Sequence, residues 1–280
     1  MTNQHDHAIY KSLSRLHTAY TGLLGDNVRM TAREKLNADK VVLDAQWQME
    51  LEPLIVELYW TPFRNGISDA PTDEAKLRRW LEDRYRLDAD NERGAITLLL
   101  LLLLRYQQRA VNLGGQAGLG FLGLDGTFRL TNSALLAQLD SHAKMLTSQG
   151  SEMSLIDTTI ADLVKAIPLA MAATGSTLLA LGAYIASRSA LRTVLIERTE
   201  RPRQVANGLD WTYLRNGVQM LMYDVNGVGC PQICAPLHGR TFPADNIPAG
   251  LTPPLHIGCD CVHTPITDDW VAPEQVWMGE

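Results

Sequence analysis

Apolar residues recur three or four positions apart through the first two thirds of the chain, as they do on amphipathic helices. The first series is formed by Ile9, Leu13, Leu16, Tyr20 and Leu23. The second series is formed by Leu36, Val42, Trp47, Leu51, Leu54, Ile55 and Leu58. Because a helical turn takes about 3.6 residues, the first series places its side chains on one helix face, and the second stretch is also interpreted as helical. We predict two helices, the second of which ends near Asn65–Gly66.

The next two segments predict one polar and one apolar helix. The segment TDEAKLRRWLEDRYRL begins at Thr72, a residue type that caps helix N-termini, and it carries acidic residues in its first turn. Its many charges are typical of a solvated helix face. Residues Ala95 to Arg105 read AITLLLLLLLR, an apolar segment only about half as long as a bilayer span. We predict that it forms a buried core helix.

The stretch from Ala166 to Ala186 contains no charged residue and is long enough to cross a membrane. It is rich in alanine and includes Pro168 and Gly175, so its insertion into a membrane is expected to be weak. Small residues also let the helices of soluble proteins pack closely. We therefore favour a soluble helix and keep a membrane span as the alternative.

The sequence pattern changes after about residue 205. The segment GVQMLMYDV, from Gly217 to Val225, is rich in β-favouring residues and predicts a strand, and Gly and Pro become frequent. We therefore predict an α+β protein, in which a mostly helical N-terminal two thirds precedes a small α+β unit at the C-terminal end.

Composition narrows the classes of function. The chain has 280 residues, 46% of them hydrophobic, which is enough for one large core or two smaller ones. A net charge of −6 argues against a broad surface that coats nucleic acid. The first residues, MTNQHDHAIYK, contain no apolar signal segment, so we expect a reducing compartment. In such a compartment clustered thiols bind metals more often than they form disulfides.

All four cysteines fall within one short window. Cys230 and Cys234 form a C-x3-C pair, and Cys259 and Cys261 form a C-x-C pair. Residues i and i+2 of an extended segment face the same side about 6.7 Å apart, which suits two ligands of one metal better than a disulfide. We predict a zinc (Zn) site that staples the C-terminal unit, with His256 as the substitute ligand. Reduced structural thiols and disulfides stay open as alternatives.

The predicted zinc site is structural rather than catalytic. Four thiols can close the zinc shell and leave no open position for water. His263 flanks the second pair, whereas His238 is interpreted as a turn residue. No H-E-x-x-H, H-x-E…C-x-x-C or G-x-S-x-G motif supplies a general base or a nucleophile. We predict no catalytic residues and no enzyme activity.

One glycine motif is interpreted as a connector. Residues Gly118 to Gly123 read GLGFLG, which matches the G-x-G-x-x-G pattern of dinucleotide-binding proteins. That function needs a strand before the motif and a helix directly after it. Here a helix-like segment precedes it, so the glycines are not expected to bind a dinucleotide.

Two segments carry longer motifs. The first reads C-x-x-L-H-G-x-x-F from Cys234 to Phe242 and continues, after a proline-rich spacer, with PLHIGCDCVHTP from Pro254 to Pro265. The second is ALRTVLIERTERPRQVANG, from Ala190 to Gly208. Together they resemble phage Mu F-like head morphogenesis proteins, whose helix motif is A-x-x-I-A-R-T-E. The family usually has C-x2-C, His-Pro and C-R-C, where this chain has C-x3-C, His256–Ile257 and Asp260.

The resemblance implies a minor head protein of a tailed phage or prophage-like particle. Such proteins associate with portal and capsid proteins and assist assembly of the DNA-filled head, so we expect assembly in the host cytoplasm and a location in the virion. The implied domains are a helical region at 1–113, a helical segment at 114–189, the Mu F-like domain at 190–266 and a tail at 267–280. The matching residues, expected to be structural, are Arg198, Thr199, Glu200, Leu237, Gly239 and Phe242.

Two other functions stay open. The family has been linked to ADP-ribosyltransferase-like folds, so a toxin or effector enzyme is one alternative, although the chain has no Arg…Ser-x-Ser…Glu-x-Glu set. A membrane-active protein that is ejected with the genome is the other, although a membrane partner is not favoured. DNA contact is left open.

Two further expectations concern packing. Leu191, Val194 and Leu195 are expected to face a core, which would make the neighbouring Arg198 and Glu200 structural. Trp270 and Trp277 of the tail are expected either to fold back on the protein or to anchor a partner.

Overall fold

The computed structural model describes residues 31–131, 133–151, 154–173, 176–225, 233–248 and 250–267. The predicted helix from Ile9 to Leu23 lies outside these residues, as do Cys230, Trp270 and Trp277. The predictions made for them are not tested.

Long helices make up most of the described chain. They are α1 (Ala32–Trp60), α2 (Glu74–Ala89), α3 (Ala95–Phe121), α4 (Ser133–Thr147), α5 (Leu155–Ala172) and α6 (Thr177–Arg215). Short 3-10 turns cover Thr61–Phe63 and Ala235–Leu237. The helix predicted to end near Asn65 is confirmed, because α1 and its 3-10 extension stop at Phe63.

Three antiparallel strands form the sheet of the described residues, in the order β2–β1–β3. The strands are β1 (Met220–Asp224), β2 (Thr241–Pro243) and β3 (Val262–Ile266). Leu221 of β1 pairs with Phe242 on one side and with Pro265 on the other. Because both of its edges are paired, β1 is central, and four of its five residues are buried. The predicted strand and the α+β class are confirmed.

The described residues separate into two compact units. The helical unit contains the described residues of 47–106 and 132–194, and the cysteine unit contains those of 31–46, 107–131 and 195–267. Helices α1, α3 and α6 contribute residues to both units, because each crosses one of these boundaries. The domain boundaries implied by the resemblance stay a prediction.

A buried polar network joins helices within the helical unit. Tyr59 of α1 donates a hydrogen bond to Asp162 of α5 at 2.6 Å, and Arg188 of α6 donates to the same carboxylate at 2.7 Å. The buried Arg192 donates to Thr159 and to the Tyr59 hydroxyl. Burial raises the pKa of Tyr59 to about 12, so its hydroxyl remains a donor at neutral pH. Buried polar groups whose partners are in place give a core one defined arrangement.

Glycines bring α3 and α6 into backbone contact within the cysteine unit. A Cβ atom on Gly114 would lie 2.0 Å from the carbonyl oxygen of Val205, and one on Gly208 would lie 2.1 Å from that of Val111. Only residues without a Cβ atom allow such an approach. The face of α3 next to this crossing is covered by Phe128, whose ring leaves no room for a Cβ on Gly115.

The GLGFLG sequence is mostly helical, so its interpretation as a connector is wrong for Gly118 and Gly120. Both residues lie inside α3, and only Gly123 follows the helix, with a positive φ of 66°. Because the motif ends a helix instead of joining a strand to one, it lacks the structural context of a dinucleotide-binding loop.

Two local predictions need correction. The N-cap of α2 is Asp73, not Thr72, because the Asp73 carboxylate accepts a hydrogen bond from the Lys76 amide at 3.0 Å. The leucine-rich start of α3 is only partly buried, since Leu98 and Leu101 are exposed. A run of one residue type carries no periodicity, so its exposed positions cannot be recognised from the pattern.

Helix α6 buries many polar side chains beside its buried apolar ones. Its buried polar residues are Ser189, Arg192, Thr193, Glu197, Glu200, Arg201, Gln204, Asp210 and Thr212. By contrast, Leu191 and Leu195 are 49% and 37% exposed, so the expectation that they face a core is wrong. Polar residues can occupy the inner face because hydrogen bonds and ion pairs compensate for their lost hydration.

The uncharged stretch from Ala166 to Ala186 is divided between two helices. Helix α5 ends at Ala172, and α6 begins at Thr177. Among the described helices, α6 alone is long and apolar enough to cross a membrane, and 33% of its apolar window is buried.

We expect Gly208→Ala to destabilise the protein, because the added methyl group would force α3 and α6 apart. Overpacking of this kind costs about 1–3 kcal/mol, which lowers Tm by several degrees. Gly182→Ala on the same helix is the control, since its Cβ would lie 3.6 Å from Trp60, an ordinary contact. Thermal unfolding followed by circular dichroism compares them, and equal Tm values would contradict the close helix crossing.

Candidate metal centre

Three cysteines gather in the interior of the cysteine unit. The sulfur atoms of Cys234, Cys259 and Cys261 all lie within 4.8 Å of one another, and each residue is almost fully buried. The Sγ atoms of Cys234 and Cys259 are 3.7 Å apart. Two sulfurs on a tetrahedral zinc are separated by about 3.8 Å, given a Zn–S distance of about 2.3 Å. A disulfide needs about 2.05 Å, so the described cysteines are not joined by disulfides, and their spacing is one that could hold a metal ion.

Short turns place these thiols beside the sheet. Cys234 precedes the 3-10 turn Ala235–Leu237, and its carbonyl accepts the Leu237 amide at 2.9 Å. Cys259 follows Gly258, whose φ of +77° lets the chain turn sharply. Cys261 directly precedes β3. The metal-binding candidates therefore come from two turns that are distant in sequence, as in many structural zinc sites.

Main-chain hydrogen bonds hold the second turn in position. The Gly258 amide donates to the Arg198 carbonyl at 3.1 Å, and the Cys259 amide donates to the His256 carbonyl at 3.1 Å. Cys259 and Cys261 are both buried, whereas the Asp260 side chain is 39% exposed. The expectation that residues i and i+2 of this segment face the same side is confirmed.

The environment of the cluster favours a thiolate at Cys259. A hydrogen bond from the Cys261 thiol lowers the pKa of Cys259, backbone hydrogen bonds lower it further, and burial opposes the shift. Tyr223 of β1 donates its hydroxyl to Cys234 Sγ at 3.6 Å. Burial raises the pKa of Tyr223 well above its ordinary value, and the adjacent sulfurs add to this shift. Because the thiolate is the form that binds metals, these three cysteines could hold a metal ion.

The two remaining predicted ligands are Cys230 and His256. Cys230 lies outside the described residues. His256 is half-buried, and its Nδ1–H donates to the Ile257 carbonyl at 2.9 Å, but its ring is not among the ligand atoms that gather in the cluster. Three of the five predicted ligands are therefore brought together.

His263 and His238, the other histidines near the cysteines, form hydrogen bonds to groups outside the cluster. His263 is fully buried; its Nδ1 lies 2.8 Å from Asp210 Oδ1, and its Nε2–H donates to the Leu251 carbonyl at 2.7 Å. With both ring nitrogens engaged, His263 joins β3 to α6 and is not available to a metal. His238 accepts the Val225 amide at Nδ1, which agrees with its interpretation as a turn residue.

The motif residues on α6 have distinct environments. Glu200 is 2% exposed and accepts hydrogen bonds from Gln107 at 3.2 Å and from Arg203 at 3.0 Å. Arg198 is exposed, and the Thr199 hydroxyl donates to the Leu195 carbonyl at 2.9 Å. Glu200 is thus a buried link between α6 and α3 rather than a group that opens onto a cleft.

The motif residues near the sheet shape its turns. Gly239 has a φ of +79°, and its amide donates to the Tyr223 carbonyl at 2.9 Å. Leu237 closes the 3-10 turn that follows Cys234. Phe242 is buried and packs edge-to-face against the His263 ring, with centroids 5.0 Å apart.

A cluster of charged residues next to the cysteine turn was not predicted from the sequence. Arg201 of α6 donates to Asp44 of α1 and, at 2.9 Å, to Asp260. Lys40 of α1 lies 3.5 Å from the Asp260 carboxylate, and both cations are buried. Burial raises the pKa of Asp44 to about 7; Arg201 opposes this shift, while Glu197 and Asp260 add to it. Sequence spacing could not reveal these pairs, because their members come from three distant segments.

The chain was also compared with known proteins. No protein-family model, curated protein or solved structure matches it. The resemblance to Mu F-like proteins therefore rests on the motif residues and stays a proposal.

We expect Asp44→Asn to change the pH dependence of stability. The pKa of Asp44 is raised in the folded state, so ionisation of this group weakens the fold as pH rises from about 4 to about 7. The asparagine side chain does not ionise, so the variant should gain Tm relative to the wild type between pH 5 and pH 8. Asp245→Asn, at an exposed position of the same unit, is the control. Parallel Tm–pH curves for the wild type and Asp44→Asn would refute the expectation.

Proposed function

We propose that the cysteine unit holds one structural zinc ion. The observation that carries this proposal is the 3.7 Å separation of the Cys234 and Cys259 sulfurs, with Cys261 beside them in the same buried cluster. Zinc prefers such thiolate sets, and Cys230 is the proposed fourth ligand, with His256 as its substitute. A four-ligand shell leaves no coordination position for substrate, so the role of the ion is to hold the two turns together.

A metal would supply stability that the small sheet lacks. The three strands contain only three to five residues each, and short sheets need additional packing or cross-links to be stable. A zinc ion that joins Cys234 to the Cys259–Cys261 turn would close a loop of the chain next to β1. Binding energy of this kind is folding energy, because the unfolded chain has no preformed site.

We further propose that the protein is a minor head protein of a tailed phage or prophage-like particle. The support is that the two motif segments, which are distant in sequence, are in contact. The carbonyl of Arg198 in the helix motif accepts the amide of Gly258 in the cysteine motif. The buried Glu200 supports a structural role for the helix motif rather than an NAD-cleaving one.

Exposed apolar side chains offer docking surfaces for other head proteins. Leu178 and Leu179 near the start of α6 are 50% and 78% exposed, and Leu169 near the end of α5 is 73% exposed. No charged residue lies between Lys165 and Arg188 in the sequence. Contiguous exposed apolar surface commonly marks interaction sites, and these leucines lie within 11 positions of one another in the sequence. We propose that this part of the helical unit contacts portal or capsid proteins.

A membrane-active protein is the second candidate function. It is supported by the length and composition of α6, since only 33% of its apolar window is buried. Flotation of the purified protein with liposomes separates the two proposals, because a head protein that docks only on proteins stays with the soluble fraction.

We expect protein purified without added metal to contain about one zinc per chain, measured by elemental analysis. Cys259→Ser should weaken metal binding and lower Tm by several degrees, because a serine hydroxyl is a much poorer zinc ligand than the thiolate it replaces in the proposed four-ligand shell. Ser141→Ala, which lies outside the cluster, is the control. A metal content near zero, with readily titratable thiols in the wild type, would exclude the zinc site.

We expect Leu179→Lys to reduce incorporation into particles while leaving the isolated protein folded. The side chain is 78% exposed, so the change costs little stability, yet a charge would oppose burial against a partner. Leu87→Lys on α2, where the leucine is 72% exposed, is the matched control. Co-purification with portal rings and capsid shells measures the effect, and equal incorporation of the two variants would rule out this docking surface.

A further inference from the structure

Asp260 stands between Cys259 and Cys261 in the sequence, and its side chain is far more exposed than either cysteine. Cys259 and Cys261 are 0% and 1% exposed, whereas the Asp260 side chain is 39% exposed. Successive side chains of an extended segment alternate in direction. A contact that holds Asp260 on its side therefore also directs both sulfurs to the opposite side.

Two buried cations from different helices hold this carboxylate. Arg201 of α6 donates to Asp260 at 2.9 Å, and Lys40 of α1 lies 3.5 Å from it. The guanidinium uses its other terminal nitrogen to bind Asp44, so one arginine connects α1, α6 and the cysteine turn. Lysine could not replace it without loss, because a single ammonium does not have the planar fork of donors that arginine has.

The rest of the turn is fastened through the main chain. The Gly258 amide donates to the Arg198 carbonyl, and the Cys259 amide donates to the His256 carbonyl. Both bonds join main-chain groups, so substitution of the Asp260 side chain removes neither a donor nor an acceptor. The side-chain clamp can therefore be tested separately from the fold of the turn.

We propose that Asp260, held by Arg201 and Lys40, is a positioning residue that sets how firmly Cys259 and Cys261 retain the metal. This inference rests on the proposed zinc site. The clamp lets the two sulfurs keep one orientation without touching the ion. Groups that orient metal ligands in this way commonly change metal affinity about 10- to 100-fold when they are removed.

The test compares zinc release from the full-length protein to a chromogenic chelator. Asp260→Asn keeps the shape of the side chain and removes its charge, and it should release zinc at least about tenfold faster than the wild type while still binding about one ion. Arg201→Lys keeps the positive charge and should change release in the same direction. Asp260→Glu should lie closer to the wild type, and Asp245→Asn should match it.

A spectroscopic readout separates positioning from general destabilisation. Cobalt(II) in place of zinc reports the symmetry of the ligand shell through its d–d bands. We expect these bands to change in Asp260→Asn and to remain unchanged in Asp245→Asn. Unchanged bands together with a wild-type rate of zinc release would overturn the proposed role of Asp260.

Failure of the zinc site itself would give a different result. If the wild type binds no zinc, the proposed zinc site is wrong. The alkylation rates of Cys259 and Cys261 in metal-free protein then test whether Asp260 positions the two thiols. Faster alkylation in Asp260→Asn than in Asp245→Asn supports positioning of the thiols. Equal rates overturn it.

Discussion

The polar inner face of helix α6 requires partners, and much of the cysteine unit is arranged to provide them. A buried polar group without a hydrogen bond costs about 1–3 kcal/mol, so each of these side chains constrains the segment that faces it. Glu200 binds Gln107 and thereby joins α6 to α3. Asp210 binds His263 and joins α6 to β3. Gly208 brings the α3 backbone close enough for the two helices to share this core.

The small sheet depends on these contacts because it has little core of its own. His263 of β3 is held by its ring through Asp210 and by its carbonyl through the Tyr213 hydroxyl, at 3.2 Å. Tyr223 of the central strand connects the sheet to the thiol of Cys234. The sheet, the two cysteine-bearing turns and α6 thus form one connected arrangement. Loss of the thiol cluster or of the α6 contacts would disturb both strands and turns.

Polar residues share the buried side of α6 with apolar ones such as Val205 and Leu209. An isolated amphipathic helix buries its apolar stripe, but here ion pairs and hydrogen bonds hold the polar stripe inside. Leu191 and Leu195 are consequently left partly exposed. The buried Arg192 of the same helix shows the same principle in the helical unit, where Tyr59 and Thr159 accept its hydrogen bonds.

The local patterns of the sequence by themselves determined that most of the chain is helical, where the central strand lies and that Cys259 and Cys261 share an orientation. Periodicity and side-chain alternation are properties of neighbouring residues, so they can be recognised without knowledge of the fold. The spacing of the cysteines also indicated a metal site, although it could not show that Cys234 approaches Cys259 across 25 positions. Only the tertiary structure decided which face of α6 is buried and which acid binds Arg201. The partner Asp260 lies 59 positions away, and burial of a charge becomes favourable only when a distant segment supplies the opposite charge.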